Sequence, residues 1–452
     1  MERKITMALL DEVFSPRIYD RWEVLPGEER ATAIRESIAE YISFAREKVP
    51  YYRERCEAFD GDAEFPLKDV PSLTSSELRA LLPPKSSELV TDTGCAVNVF
   101  QSGGTTGVPK TALFSHHEME LLTMPNARGF YALGLRKEDR VANLFAVGGL
   151  YMTFVHINRM LQQYGCTNFP FSNQTGADFI HSVTRLFSIN VFTGISSSVL
   201  DCLRKMMTMD LDGIAIEKVF YGGEHLYDAD RAELKERLGV SLIAAPGYGT
   251  VDTWYIGYQC LQCPPGVFHL HDDQCYTEIV NDDTGENCRP GVTGMLYATP
   301  IVRRLTPIIR YQVGDRAYWM DEPCPCGRTT PRFKLLGRGD DVLRIGYDSI
   351  DYAFVQQAAA SVGRITGAIQ MEKRRKDGKD LLIIRVETEA PAGEHRRLGE
   401  ALTAEILNGR PSLRGFIEKN TVWPLEIEVS GPGALARSER TGKLRRVIDV
   451  IE

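Results

Sequence analysis

Apolar residues recur near helical spacing among charged ones from Glu29 to Lys48, where Ile34, Ile38, Ile42 and Phe44 carry the pattern, and Val49-Pro50-Tyr51-Tyr52-Arg53 breaks it. An extended link from Phe65 then leads into a second helix, for which Thr74 with Glu77 three residues on fits a capping box. Residues 1 to about 90 are therefore expected to be mostly helical. From about 110 to 250, helical and buried-strand patterns alternate. Arg140 to Val147 reads as a strand, Ala177 to Phe187 as a helix, Val191 to Ile195 as a strand and Ser196 to Thr208 as a helix. Glu217 to Glu224 follows as a strand running into a turn, then Asp228 to Leu238 as a helix and Ser241 to Ala245 as a strand. Repeated strand, helix, strand units imply a layered α/β sheet whose loops at the carboxyl ends of the strands make the site.

From about 275 to 335 the pattern turns β-rich, with strands expected at Tyr276 to Val280, Gly294 to Thr299 and Ile308 to Asp315. In Gly337-Arg338-Gly339-Asp340-Asp341 glycines flank charges, as in a hinge, and beyond it lie short segments at Leu381 to Glu387, Arg396 to Leu407 and Leu425 to Val429. The expected fold class is α/β: a large layered α/β N-terminal domain, residues 1–338, with a β-rich subregion, then a small α+β C-terminal domain, residues 339–452. No internal repeat or low-complexity segment interrupts it.

One stretch stands out for chemistry. Gln101-Ser-Gly-Gly-Thr-Thr-Gly-Val-Pro-Lys110 follows a short strand signal at Ala96 to Phe100. Glycines let the backbone turn its N–H groups toward an anion, the hydroxyls add donors, and Lys110 supplies a point charge, so the loop suits phosphate. Taken alone, the string also suits a flexible turn. It is not a Walker A loop, which ends in Gly-Lys-Ser/Thr, because Val108-Pro109 separates Gly107 from Lys110.

Composition narrows the class. With 452 residues, 43% hydrophobic and 25% charged, the chain has the make-up of a soluble globular protein. A net charge of -8 argues against nucleic acid as a partner, and the basic run Lys373-Arg374-Arg375-Lys376 is expected to be solvated loop charge. The N-terminus shows no targeting segment, and the most apolar run, Val141 to Val155, is too short to span a bilayer, so no membrane association is expected. Ten cysteines without a secretory signal point to a reducing cytoplasm and to thiols or metal ligands. Six of them lie between Cys260 and Cys326. Cys260-Leu-Gln-Cys263 and Cys324-Pro-Cys326, with His269 and His271 between them, have the makings of a tetrahedral zinc site, four cysteines or three with one histidine. A catalytic zinc is not expected, since no nearby acid would serve water activation.

The loops, in order, resemble the adenylate-forming superfamily of acyl-CoA synthetases and amino-acid-activating domains, and within it the phenylacetate-CoA ligase branch. The likeness rests on Val49-Pro-Tyr-Tyr-Arg53, Ser102 to Lys110, Tyr221-Gly-Gly-Glu224, Tyr248-Gly-Thr-Val-Asp252, Thr306 to Asp315, Gly337-Arg-Gly-Asp-Asp341 and Ser438-Glu-Arg-Thr-Gly-Lys443. The resemblance implies an ATP-dependent, AMP-forming ligase that converts a carboxylic acid, aromatic by its branch, to an acyl-adenylate and then transfers it to coenzyme A. It implies that Ser102, Gly104, Thr105, Thr106, Gly107 and Lys110 embrace the terminal phosphates, and that Asp252 holds Mg²⁺ where the family usually has glutamate. Asp315 would bind the ribose hydroxyls and Arg338 the ribose or phosphate. Tyr248, Gly249, Thr250, Gly223 and Glu224 would complete the nucleotide site, Tyr248 and Gly223-Glu224 bordering the adenine. Lys443, in a mobile C-terminal domain, would bridge carboxylate and α-phosphate. Phe145 to Tyr151 and Ala244 to Tyr248 would line the acyl pocket.

By the same resemblance a structural Zn²⁺ would be held by one cysteine, one histidine and the Cys324-Pro-Cys326-Gly327 pair, with Cys260 at the family position, Cys263 extra, and His269 matching with one inserted residue. A homodimer would suit the branch. Two departures bear on the chemistry. Val251 replaces a hydroxyl residue that touches the α-phosphate, leaving that role to Thr250 or Thr253. Arg344-Ile-Gly-Tyr347-Asp-Ser349 replaces a Gly-Gly-x-Asn loop of the pantetheine tunnel, which keeps an amine or a carrier protein open as the acceptor, although the chain ends nine residues after Lys443 and no fused carrier is expected. A nucleotide-binding or zinc-stapled interaction protein without chemistry is the reading from another class, and Lys443, Asp315, Lys110 and Asp252 together argue against it.

Overall fold

In the computed structural model of the chain the described residues are 22–57, 59, 67, 70–101, 110–223, 226, 228–282, 284–338, 342–346, 348–435 and 447–449. They fall into two compact units, one running to Gly337 and the other starting at Arg338. The first unit holds a five-stranded parallel sheet in the order Thr167–Phe169, Arg140–Asn143, Val191–Ile195, Lys218–Gly222, Leu242–Ala244. Val191–Ile195, in the middle, is buried at every position, as a parallel strand covered on both faces must be. Helices Ala177–Phe187, Ser196–Met206 and Asp228–Leu238 link successive strands, as their patterns predict. The strand expected from Arg140 to Val147 stops at Asn143, because that side chain ends the ladder: its Oδ1 accepts from the Phe145 amide (3.1 Å) and its Nδ2 donates to Asn158 (3.0 Å).

A second, seven-stranded sheet runs in the order Tyr276–Val280, Gly294–Thr299, Tyr311–Trp319, Arg332–Arg338, Val267–Leu270, Trp254–Tyr258, Gly247–Thr250. The β-rich region thus begins near Gly247, earlier than the expected 275. Gly249 hides the alternation there for a steric reason: a Cβ on it would lie 2.1 Å from the Trp254 carbonyl oxygen. The strand expected from Ile308 begins at Tyr311, since Arg310 takes φ 51° and turns the chain. Val97–Gln101 and Thr111–Ser115 form a two-stranded antiparallel hairpin with Gln101 opposite Thr111.

The first helix, Gly27–Lys48, ends at the extended Val49, and Pro50, at the first helical position, opens a short second helix, Pro50–Arg55. Their tyrosines reach far along the chain. Tyr41 donates to the Arg303 carbonyl (2.9 Å) and accepts from the Ile308 amide (3.0 Å), while Tyr52 donates to the Pro307 carbonyl (3.1 Å) and accepts from the Ile309 amide (3.2 Å). The capping box at Thr74 and Glu77 forms as expected.

The second unit has a four-stranded sheet, in the order Glu426–Ser430, Lys379–Thr388, Ile365–Lys376, Val447–Asp449, and a hairpin of Val342–Ile345 with Asp348–Asp351. Helices Tyr352–Val362, Ala392–Gly409 and Pro411–Glu418 accompany them. Here the reading of Lys373 to Lys376 as solvated loop is corrected. The run is the end of a strand in a long hairpin, turned by Asp377-Gly378 at φ 49° and 74°, the geometry that the Asp-Gly pair favours. Three of its four charges are in ion pairs, Arg374 with the buried Glu372, and Lys373 (3.8 Å) and Arg375 (3.3 Å) with Asp380, while the exposed Lys376 lies 5.3 Å from the centre of the Trp423 ring.

Helix His116–Ala132 opens with a second capping box, Ser115 with Glu118. The other oxygen of Glu118 accepts from the amides of Arg304 (2.7 Å) and Leu305 (2.8 Å), so one buried carboxylate caps a helix and pins a distant segment. Glu118→Ala leaves those buried amides without an acceptor and is expected to cost about 2–4 kcal/mol in denaturant unfolding, with Glu118→Gln costing less.

Candidate active site and metal centre

The loop between Gly247–Thr250 and Trp254–Tyr258 carries Asp252. It is held in an uncommon conformation. Trp254 has φ 65°, a left-handed value that costs a bulky residue on the order of 1–2 kcal/mol. Packing over-determines it: the indole N–H donates to the Leu122 carbonyl (2.9 Å), and the ring meets Phe114 and the imidazole of His156, with centroids 5.4 and 4.4 Å away. Thr250 and Thr253 join hydroxyl to hydroxyl (2.9 Å) across the turn, and Thr253 is fully buried while Thr250 is half-buried. Arg303, 1% exposed, donates to the Asp252 carbonyl (2.6 Å), the Leu113 carbonyl (2.5 Å) and Thr306 Oγ1 (2.5 Å).

Into this frame come two more residues. Lys110 stands just before strand Thr111–Ser115, and its Nζ pairs with Asp252 Oδ2 and donates to the Tyr311 hydroxyl (2.5 Å). Tyr311 in turn donates to Asp252 Oδ2 (3.2 Å), and the Lys110 ammonium lies 5.1 Å from the centre of its ring. Burial works against the Lys110 charge, but Asp252 and Tyr311 outweigh it and hold the ammonium above the usual lysine value. Burial, with the Asp252 charge, pushes the Tyr311 phenol up to about 12, so it stays a donor. Asp252 itself is 2% exposed, and its Oδ1 has no hydrogen-bond partner among the described residues. Tyr311 is the residue that motif reading passed over; its place four residues before Asp315 in the same motif was the available signal.

Further along that strand the Tyr248 hydroxyl donates to Asp315 Oδ2 (2.5 Å), and the Tyr248 ring packs on Phe268 and Phe333, so these two expected nucleotide residues meet directly. Gly223 follows strand Lys218–Gly222 at φ 79°. A Cβ on Gly222 would touch the Phe145 ring at 3.8 Å, which places Phe145, beyond the end of Arg140–Asn143, against the carboxyl end of Lys218–Gly222, two places along the parallel sheet. Ser102, Gly104, Thr105, Thr106, Gly107, Glu224, Tyr347 and Lys443 lie outside the described residues, as does the side chain of Arg338.

The cysteine turns come together. The ligand atoms of Cys260, Cys263, His269 and Cys324 all lie within 4.8 Å of one another, and Cys326 Sγ is 3.5 Å from His269 Nε2. Cys263 closes its turn by donating its backbone N–H to the Cys260 carbonyl (3.0 Å), and Gly327 does the same for Cys324 (3.2 Å). His269 Nδ1 meets Thr330 Oγ1 (2.9 Å), which orients Nε2 toward the sulfurs. His271 turns elsewhere, its Nδ1 3.2 Å from the guanidinium of Arg128. Around the cluster a buried polar clasp ties in the N-terminal segment. Glu23 accepts from Arg328 (2.5 Å) and Tyr258 (2.5 Å), and Asp272 accepts from Arg30 (3.1 Å) and Trp22 (2.7 Å).

No family model matches the chain. It is 25% identical over 446 residues to phenylacetate-coenzyme A ligase of Thermus thermophilus, covering 95% of this chain and 98% of that protein. It is also 25% identical over 421 residues to phenylacetate-coenzyme A ligase of Aromatoleum evansii, covering 90% and 91%. Among solved structures, 2-hydroxyisobutyryl-CoA ligase in complex with 2-HIB-AMP and CoA superposes with a TM-score of 0.74 at 22% identity, over 96% of this chain and 93% of that one. Amide bond synthetase McbA from Marinactinospora thermotolerans superposes with a TM-score of 0.51 at 15% identity, over 86% and 72%. Among the described residues no helix is long and apolar enough to cross a membrane.

His156 behind Trp254 generates a pH prediction. Burial, aided by the Arg159 charge, holds its imidazole down at about 3. In the unfolded chain it titrates near ~6.5, so the unfolded state binds the extra proton between those values. The stability it supports is complete above about pH 6.5 and is lost as pH falls toward 3. His156→Gln is expected to shrink the loss of unfolding free energy between pH 7.5 and 5 by about 2 kcal/mol, read from denaturant melts at the two pH values.

Proposed function

Because the chain belongs to the adenylate-forming superfamily, in its phenylacetate-CoA ligase-like branch, we propose that it activates a carboxylic acid, aromatic by its branch, with ATP and then transfers the acyl group to coenzyme A. In the first step a carboxylate oxygen bonds the α-phosphorus as the bond to pyrophosphate breaks. In the second the coenzyme A sulfur, losing its proton, bonds the acyl carbon as AMP leaves. Both partners of the first step are anionic, so fixed positive charge has to meet the charge that develops. The observation that carries this reading is the buried cluster of Lys110, Asp252 and Tyr311, brought together from separate parts of the chain.

Lys110 would meet the terminal phosphates together with Ser102, Gly104, Thr105, Thr106 and Gly107. Asp252 suits a hard cation: it is a buried carboxylate with one oxygen that has no partner among the described residues. Magnesium there would supply charge neutralisation to the polyphosphate. Of the two threonines that could replace the missing hydroxyl at Val251, Thr250 is the better candidate, because Thr253 is fully buried and also bonded to the Trp254 carbonyl (3.1 Å). Asp315, aligned by Tyr248, would take the ribose. Lys443, in the unit that starts at Arg338, would serve the adenylation step on the strength of the resemblance.

The same reading includes a structural zinc at the cysteine cluster. Two tight turns presenting soft sulfur ligands, with a histidine oriented from behind, suit a tetrahedral site. The hydrogen bond from Cys260 pulls the Cys263 thiol below its usual value, toward the thiolate that a metal needs. Purified protein is expected to carry about one equivalent of zinc by metal analysis, and Cys260→Ser to carry less than half of that.

The function is tested by acid-dependent exchange of pyrophosphate into ATP over a panel of aryl and short alkyl acids, with AMP release measured with and without coenzyme A. One acid is expected to drive exchange, coenzyme A to accelerate AMP release, and Lys443→Ala to slow exchange by roughly 10²–10³. Exchange with no response to coenzyme A would assign the acceptor to an amine or a carrier protein instead.

A further inference from the structure

The Asp252 carboxylate is 2% exposed, so water does little to solvate its charge and a protein cation has to meet it. Arg303 is close, but its hydrogen bond goes to the main-chain oxygen of Asp252 and not to the carboxylate. The charge on the carboxylate is met by the Lys110 ammonium at Oδ2, the oxygen that Tyr311 also reaches. Oδ1 is left over.

We propose that in the nucleotide-free protein the Lys110 ammonium holds the cation position on Asp252, so that a divalent cation is admitted only when a polyphosphate draws the lysine away. The proposal rests on the reading of Asp252 as the magnesium ligand. A divalent cation arriving alone would meet an ammonium on the same carboxylate, and like charges a few ångströms apart in a poorly solvated site repel strongly. A polyphosphate changes the balance because it offers Lys110 several anionic oxygens in place of one. Lysine suits this exchange, being a point charge on a flexible stem with no fixed fork to break. Tyr311 is the part that stays. Its hydroxyl donates to Oδ2 whether or not it also accepts from Lys110, so when the lysine leaves, Oδ2 keeps one partner and the carboxylate keeps its orientation. Tyr311 is therefore a positioning residue, and Lys110 serves Asp252 before it serves the phosphates.

The test is Mn²⁺ binding to the full-length protein without nucleotide, followed by the electron paramagnetic resonance signal of free Mn²⁺. The parent is expected to bind weakly. Lys110→Gln, which keeps a hydrogen-bonding group near Tyr311, and Lys110→Met should each bind at least about tenfold tighter, the scale of one short ion pair in a partly buried site. Adding Asp252→Asn to Lys110→Gln should cancel the gain. Tyr311→Phe leaves the ion pair whole and should stay within about threefold of the parent, which separates loss of charge from general loosening. Circular dichroism confirms that each variant is folded, and two lysine variants guard against a failure of either.

Superimposable Mn²⁺ titrations for the parent and both lysine variants would overturn the proposal. If Asp252→Asn nonetheless weakens binding of a non-hydrolysable Mn²⁺–ATP analogue, the magnesium reading survives that failure. If Asp252→Asn changes neither measurement, the magnesium reading fails with it.

Discussion

A single guanidinium, taken almost wholly out of water, fixes the arrangement on which the candidate active site depends. Arg303 spends its donors on the Asp252 carbonyl, the Leu113 carbonyl and the Thr306 hydroxyl, and its plane lies 3.9 Å from the centre of the Phe114 ring. A hydrogen bond to such a buried charged group is worth about 1.5–3 kcal/mol, more than the net worth of an ordinary one. Three segments are therefore set relative to one another before any ligand arrives: the Asp252 turn, the strand that begins right after Lys110, and the chain that leads to Tyr311. Tyr41, Tyr52 and Glu118 grip the same 303–309 segment from other helices, so the constraint is shared.

Two residues flanking this frame store backbone strain, Trp254 at φ 65° and Arg310 at φ 51°. Neither conformation would persist on local preference. Trp254 is held by its indole hydrogen bond and by Phe114 and His156. Arg310 is held by the buried Glu278 (3.3 Å) and by the hydrogen bond that its backbone N–H donates to the Thr299 hydroxyl (2.9 Å). The strain lies next to Asp252 and Tyr311, where the side chains need fixed directions, and the surrounding packing bears its cost. That is preorganisation in a concrete sense: the carboxylate and the phenol need no rearrangement of their own backbone to act.

Much of this was legible in the sequence, and the boundary of legibility has a physical cause. Helices such as Ala177–Phe187 and Asp228–Leu238 and strands such as Val191–Ile195 follow from periodicity, because their burial pattern is written in neighbouring residues. The cysteine turns were visible from spacing. What spacing could not decide was which histidine joins them. His269 lies on the strand facing the sulfurs and His271 just past its end, beside Arg128, a distinction that only the strand and its partners make. Arg303, Glu118 and Tyr311 were invisible in their present roles because each acts on residues dozens to hundreds of positions away. The Asp377-Gly378 pair is itself a hairpin signal, but the unbroken charged run before it hides the alternation that marks a strand.

The buried charges of the first unit use both kinds of cation. Several contacts that tie segments together use arginine: Arg303 in the frame, and Arg328 with Glu23 and Arg30 with Asp272 beside the cysteine turns, whereas Asp139 pairs with Lys218 (2.6 Å). A planar fork with several donors makes many bonds at once, and its removal strands every partner together, so such contacts behave as struts. At Asp252 the cation is lysine. One rotatable ammonium can be exchanged for another cation without disturbing the backbone that Arg303 holds, because Arg303 grips the main-chain oxygen of Asp252 and leaves its carboxylate alone. The chain thus separates holding the residue from neutralising it, which is the separation that the proposed exchange of cations at this carboxylate requires.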